Sequence, residues 1–291
     1  MTWDPLPGGW SGESFLAEID GVRSVVRICA TPSARGERAA DVDGALMRLL
    51  RGLVPVPEVL EVRAARDGNP PLLITRYVPG VRADNLVRGQ DAGVLAPLGA
   101  QLGRIAGTLA GIPTVGSGHF VDAGLRIEPF APEADDLLSH VMSRLPSLRD
   151  FGPARTEGLL EVARRAQDEL DSVPRTCLVH GDLNPKNVVV DPDTGSVVAV
   201  VDWEHAHAGS PYADLGSLLR FDRHSAWEEA VLSGWVAVRG GTAEQARDLA
   251  RCADLFALLD LASRPAGNLV VDLAEVFLRE IARETDWNAA P

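Results

Sequence analysis

The spacing of apolar residues changes character along the chain. Ser14-Phe-Leu-Ala-Glu-Ile19 and Arg23-Ser-Val-Val-Arg-Ile28 are short β-type runs that flank Asp20-Gly21. An Asp-Gly pair tolerates the positive φ angles of a tight two-residue loop, so this stretch predicts a hairpin. Residues 43–50 carry apolar positions at helical spacing, and Val54-Pro-Val-Pro-Glu58 ends that helix because proline cannot continue it. Pro71-Leu-Leu-Ile-Thr-Arg-Tyr-Val-Pro-Gly80 reads as a buried strand leaving through a turn. Beyond it the three- and four-residue spacing of helices takes over, in 94–110, 133–143, 156–170, 225–238, 243–261 and 269–283. One more hairpin interrupts them, 187–190 and 197–202, turned by Asp191-Pro-Asp-Thr-Gly-Ser196. The pattern predicts an α+β protein with a small β-rich part, residues 1–80, and a larger, mostly helical part, residues 81–291.

At 291 residues the chain exceeds one ordinary domain and suffices for two lobes around a cleft. Apolar residues make up 46% and charged residues 24%, the balance of a soluble globular protein, and no apolar run approaches the roughly 20 residues that cross a bilayer. No membrane partner is expected. The start, Met-Thr-Trp-Asp-Pro, has neither the basic residues nor the apolar stretch of a secretory signal. Cys29, Cys177 and Cys252 form no metal or disulfide spacing, so a reducing cytoplasm is the expected location. A net charge of −13 argues against a nucleic-acid partner, whose phosphates demand a basic surface. Residues 1–80 hold 10 acidic and 9 basic side chains, leaving 31 against 19 in 81–291. That surplus suits a cationic small-molecule partner, and it serves solubility equally well.

The chemistry concentrates in Leu178-Val-His-Gly-Asp182-Leu-Asn-Pro-Lys-Asn187, followed by Val200-Val-Asp202-Trp-Glu204. Phosphoryl transfer needs an acceptor hydroxyl held in line and a triphosphate whose charge is neutralised, commonly with magnesium in a shell of oxygen ligands. The amide oxygen of Asn187 and the carboxylate of Asp202 suit such a metal, and Asp182 is left to orient the hydroxyl. His180 is read as a hydrogen-bonding support beneath the loop.

These segments resemble the aminoglycoside phosphotransferase family, the kinase-like small-molecule phosphotransferases. The resemblance continues through Gly209-Ser-Pro-Tyr-Ala-Asp214-Leu-Gly216, where the family's usual acid between glycine and proline is Ser210 here. It implies a protein-kinase-like two-lobe fold, ATP or GTP as phosphate donor, and Mg2+ as cofactor. Asp182 becomes the catalytic residue, with Asn187 and Asp202 as metal ligands. The glycine-rich Pro7-Gly-Gly-Trp-Ser-Gly-Glu-Ser14 matches the family's lid, with Gly9, Ser11 and Gly12 near the phosphates.

Lys186, within the catalytic loop, is the chain's sole lysine, so the lid lysine of the family has no lysine counterpart. Arg27 stands in for it, and Asp43 takes the place of the acid on the following helix, with Glu37 as an alternative partner. The nucleotide base is expected against backbone groups of Arg76 to Val78, with Thr75 behind. Glu204, Asp254 and Asp260 are candidate acceptor-binding residues.

The expected activity is transfer of phosphate to a hydroxyl of a small molecule, an aminoglycoside-type antibiotic foremost. Amino alcohols, sugars and macrolides are alternative acceptors. A catalytically silent nucleotide-binding protein is the alternative of another class. The assembly is expected to be a monomer or homodimer.

Overall fold

The computed structural model describes residues 3–6, 13–29, 35–66, 68–87, 92–221 and 225–291. Strands β1 (Trp3–Pro5), β2 (Glu13–Ile19), β3 (Val22–Ile28), β4 (Val59–Arg63) and β5 (Leu72–Arg76) form an antiparallel sheet in the order β1-β2-β3-β5-β4. Ile19 pairs with Val22, and Asp20 and Gly21 between them have φ of 50° and 76°, the turn that an Asp-Gly pair favours. Helix α1 (Ala39–Leu50) follows β3 and buries Val42, Leu46, Met47 and Leu50. It starts earlier than its apolar spacing suggests because small Ala39 and Ala40 are also buried.

The rest of the chain supplies β6 (Val81–Arg82), α2 (Ala83–Val87), α3 (Ala92–Leu109), β7 (Gly118–Phe120), β8 (Ile127–Glu128), α4 (Pro132–Asp135), α5 (Leu137–Arg144) and α6 (Pro153–Asp171). It continues with β9 (Cys177–Val179), β10 (Val188–Val190), β11 (Val197–Val200), β12 (His207–Gly209), α7 (Ala213–Leu219), α8 (Ser225–Arg239), α9 (Ala243–Ala262) and α10 (Leu269–Glu284). The helix expected over 133–143 is broken at Asp136, which is extended and accepts a hydrogen bond from the Ser139 N–H at 2.7 Å, capping α5. Helix α7 and the strands β7 and β8 were not foreseen; seven residues or fewer carry too little periodicity to stand out.

Two small antiparallel sheets frame the site, β11-β10-β6 and β8-β7-β12-β9. Helices α3 and α8 pack backbone to backbone: a Cβ on Gly103 would lie 1.9 Å from the Val231 carbonyl oxygen, and one on Gly234 2.1 Å from that of Ala100. Such contact leaves no room for a side chain and brings α3 against the core. One apolar cluster runs from Leu46 and Leu50 of α1 and Leu73 of β5, through Leu98 and Leu102, to Val188, Val200 and Trp203. The sheet with α1 and the floor of the cleft therefore share a core. A second cluster, with Leu137, Leu159, Leu255 and Leu278, joins α5, α6, α9 and α10. Burying each such leucine contributes about 1.5–3 kcal/mol. Among the described residues, no helix is long and apolar enough to cross a membrane.

Candidate active site

Two strand ladders hold the two loops of the motif side by side. Residues 180–187 run from the β9·β12 ladder to the β10·β11 ladder, and residues 201–206 return between the same two. The Val201 N–H donates to the Asn187 carbonyl at 2.9 Å, which sets Asp202 beside Asn187. His180 is fully buried, with its ring 4.4 Å from that of Trp203. Its Nδ1 accepts the Asp182 N–H at 3.2 Å, so Nε2 carries the proton and donates to the Val201 carbonyl at 3.0 Å. It is a support, as its solitary position in the motif suggested.

The Asp182 carboxylate is held at both oxygens. Asn184 Nδ2 donates to Oδ1 at 2.7 Å, and Asn187 Nδ2 donates to Oδ2 at 2.8 Å and to the Asp182 carbonyl at 2.9 Å. The Asn187 nitrogen is thereby committed, and its amide oxygen, free of hydrogen bonds among the described residues, faces no internal competitor. An amide oxygen beside a carboxylate is an oxygen-only donor pair that fits magnesium, which keeps several of its waters. Asp202 has φ of 68°, a left-handed conformation that costs a non-glycine residue about 1 kcal/mol. Gly181 also has positive φ, 81°, and a Cβ there would meet the His205 carbonyl oxygen at 2.3 Å.

Asp214, at the start of α7 and buried, accepts the backbone N–H groups of His180 at 2.8 Å and Gly181 at 3.0 Å. Burial pushes its carboxyl up from the usual range, against the pull of His180 and of those two donors. The sequence marked Asp214 as an acid of the motif without showing that it anchors the catalytic loop. Asn184 carries a signal in the sequence, as a third amide or acid within Asp182–Asn187.

The surroundings of Arg27 differ from expectation. Arg27 on β3 donates from one nitrogen to Asp202 Oδ1 at 2.8 Å and from another to Glu204. Burial opposes the guanidinium's charge, but the carboxylates of Asp202, Asp43 and Glu204 outweigh it and raise its pKa. Asp43 does not bond to Arg27. Its partner is Arg35, which also donates to the carbonyls of Trp203, at 3.2 Å, and Ala206. Asp43, buried on α1, is paired with Arg35, while Arg27 is paired with Asp202 and Glu204. Burial raises the Asp43 carboxyl and lowers Arg35. Nothing in the sequence singled out Arg35.

Other positions move too. Glu204, expected at the acceptor, lies against Arg27. Asp254 is 4% exposed, and both its oxygens accept from Arg220, because a buried carboxylate requires a partner. Asp260 accepts from Arg144 Nε at 2.7 Å and lies 3.0 Å from His140 Nε2. The structure therefore pairs Asp254 and Asp260 with separate cations, and the Arg220 that holds Asp254 also feels the charge of Asp182. In the stretch expected to face the base, the Arg76 N–H donates to Glu58 and the Tyr77 N–H to Arg23, whereas the Val78 N–H has no partner among the described residues. The Arg76 side chain turns outward to Glu58. Thr75 is buried behind it. Gly9, Ser11 and Gly12 lie outside the described residues.

Comparison with known proteins places this geometry. Streptomycin 3''-kinase of Streptomyces griseus is 29% identical over 227 residues, 75% of this chain and 76% of that protein. Acyl-CoA dehydrogenase family member 10 of Mus musculus is 25% identical over 171 residues, 56% of this chain, of which they make up 15% of that longer protein. A thermostable aminoglycoside phosphotransferase APH(4)-Ia, solved with AMP-PNP and hygromycin B, superposes with a TM-score of 0.67 at 17% identity, covering 98% of this chain and 92% of that one. The likeness confirms the kinase-like fold. The model of the phosphotransferase enzyme family APH matches residues 2–255, and the chain belongs to that family.

Proposed function

We propose that this protein transfers the terminal phosphate of ATP or GTP to a hydroxyl of a small molecule, foremost a cationic one of aminoglycoside type. The observation that carries the reading is the Asp182 carboxylate, fixed at both oxygens by Asn184 and Asn187, on a loop whose last residue pairs with the backbone next to Asp202. A carboxylate held in this way accepts the hydroxyl proton and sets the direction of the attacking oxygen. Arg27 supplies positive charge from the lid for the phosphate oxygens. Asn187 and Asp202 would hold Mg2+, which when bound neutralises triphosphate charge and aligns the terminal phosphate. Val78 offers the open backbone donor for the base. Residues 1–80 act as the nucleotide lid over a cleft whose acceptor side belongs to residues 81–291.

The cationic acceptor is supported by the acidic surplus of residues 81–291 and by the names of the streptomycin kinase and of the hygromycin B complex. The test is phosphate transfer from ATP and from GTP, with Mg2+, to a panel of aminoglycosides, macrolides, amino alcohols and sugars. A single strong acceptor whose capture weakens with salt supports the reading. A neutral acceptor moves it to a macrolide or metabolic kinase. Nucleotide binding without transfer to any acceptor turns it into a silent nucleotide-binding protein.

A further inference from the structure

The cleft joins two guanidinium groups, Arg27 and Arg35, to three carboxylates, Asp43, Asp202 and Glu204. Their partition is uneven. Asp43 is taken by Arg35, whose remaining contacts are the carbonyls of Trp203 and Ala206 on either side of Glu204. The backbone that carries Glu204 is thus clamped from the lid side, and its carboxylate is presented to Arg27 in a fixed place. Asp202 and Glu204 share Arg27 but differ in exposure: the Asp202 side chain is 36% exposed and that of Glu204 16%. The open carboxylate is the one that would be available to a divalent cation beside Asn187. The covered one keeps its hold on the guanidinium.

We propose that Glu204 is the positioning acid of Arg27, the part that the resemblance gives to an acid on the helix after β3; the proposal rests on the phosphotransferase reading above. Glu204 acts from the opposite wall of the cleft, so the cation that meets the phosphates is oriented by the same loop that carries Asp202. A guanidinium suits this arrangement. Its fork offers separate nitrogens to two carboxylates and still has donors for a phosphate oxygen, whereas an ammonium presents one point of charge. Glu204 is thereby assigned to the nucleotide side of the site, away from the acceptor.

The experiment is calorimetric binding of ADP with Mg2+ to the full chain and to Arg27→Met, Glu204→Gln and the double variant, with steady-state kinetics alongside. Arg27→Met and Glu204→Gln are each expected to weaken ADP binding by about tenfold, and the double variant by about the same factor, because the two substitutions break one interaction. Asp43→Asn acts through the Arg35 clamp on the backbone that carries Glu204, so its effect on ADP binding does not multiply with that of Arg27→Met. In the kinetics, Glu204→Gln raises the nucleotide KM and leaves the acceptor KM in place, and Glu204→Asp, a methylene shorter, recovers part of the loss. ADP affinity within about twofold of native in a folded Glu204→Gln overturns the proposal, as does a double variant whose losses multiply. A raised acceptor KM with an unchanged nucleotide KM also overturns it. If Glu204→Gln does not fold, Glu204→Asp carries the same comparison. No ADP binding by the native chain overturns the phosphotransferase reading and this proposal together, and native binding unaffected by Glu204 overturns this proposal alone.

Discussion

The loop around Asp182 and the region of Arg27 and Arg35 satisfy their polar groups in opposite ways. Around the Asp182 carboxylate the partners are near in sequence: Asn184 and Asn187 reach it across two and five residues, and His180 receives the Asp182 N–H across two, while Asp214 anchors the start of the loop from 33 and 34 residues away. In the other region, Arg27 finds Asp202 across 175 residues and Arg35 finds Trp203 across 168. A loop bonded to itself keeps its shape wherever the strands on either side are held. The positions of Arg27 and Arg35 depend on how the N-terminal part packs against residues 202–206. Under the proposed function, the first arrangement suits a group that orients one proton transfer and the second a cation that meets the nucleotide.

The contrast can be broken most severely at Asp182. Asp182→Ala is expected to lower phosphate transfer by about 10³–10⁴-fold while ADP binding stays near native, read from rates and calorimetry. Comparable loss of binding would mean that the loop is not separable from the lid. Next comes Arg35. Arg35→Leu leaves Asp43 buried without its partner and should cost about 3 kcal/mol in urea unfolding. Replacing both, Arg35→Leu with Asp43→Leu, should restore most of that, and a single variant costing under about 1 kcal/mol would remove the buried pair from the account.

Asp214→Ala probes the loop's anchor. It strands two backbone N–H groups and should cost about 2 kcal/mol of stability, with kcat falling and the nucleotide KM holding. The smallest effect is a pH dependence at His207. Burial, together with the repulsion of His119, Arg35 and His205, lowers its pKa to about 4, although its ring accepts contact from Phe130 and bonds the His205 carbonyl. In the unfolded chain it takes a proton near pH 6.5, and in the folded protein only near pH 4. Its contribution is therefore complete above pH 6.5 and is lost as pH falls toward 4, by about 1–2 kcal/mol after allowance for solvent. His207→Asn should flatten that part of the stability profile, and an unchanged slope would assign it to other groups.

Much of the fold was legible for the same reason that the catalytic loop was. The Asp20-Gly21 turn, the helices α6, α8, α9 and α10 and the β10–β11 hairpin arise from signals within a few residues of one another. Glycines 103 and 234 gave a weaker signal: they stood in the sequence as ordinary helical positions, and their meaning came only from the facing helix. Short α7, which carries Asp214, leaves little trace in the sequence, because about two turns show no clear period. Among site residues, Asn187 bonds Asp182 within their shared loop, while Asp43, Glu204, Asp254 and Asp260 each found a guanidinium that no local pattern announces.

What the residues dictated on their own was the kind of chemistry and the order of elements, since a turn, a helix face or an Asp-x-x-x-x-Asn loop is specified by neighbours a few positions apart. Which arginine meets which carboxylate was beyond their reach. That choice follows from burial, side-chain length and the approach of two walls brought together by the whole core, and folding alone placed Arg35 on Asp43 and sent Arg27 across the cleft to Asp202 and Glu204.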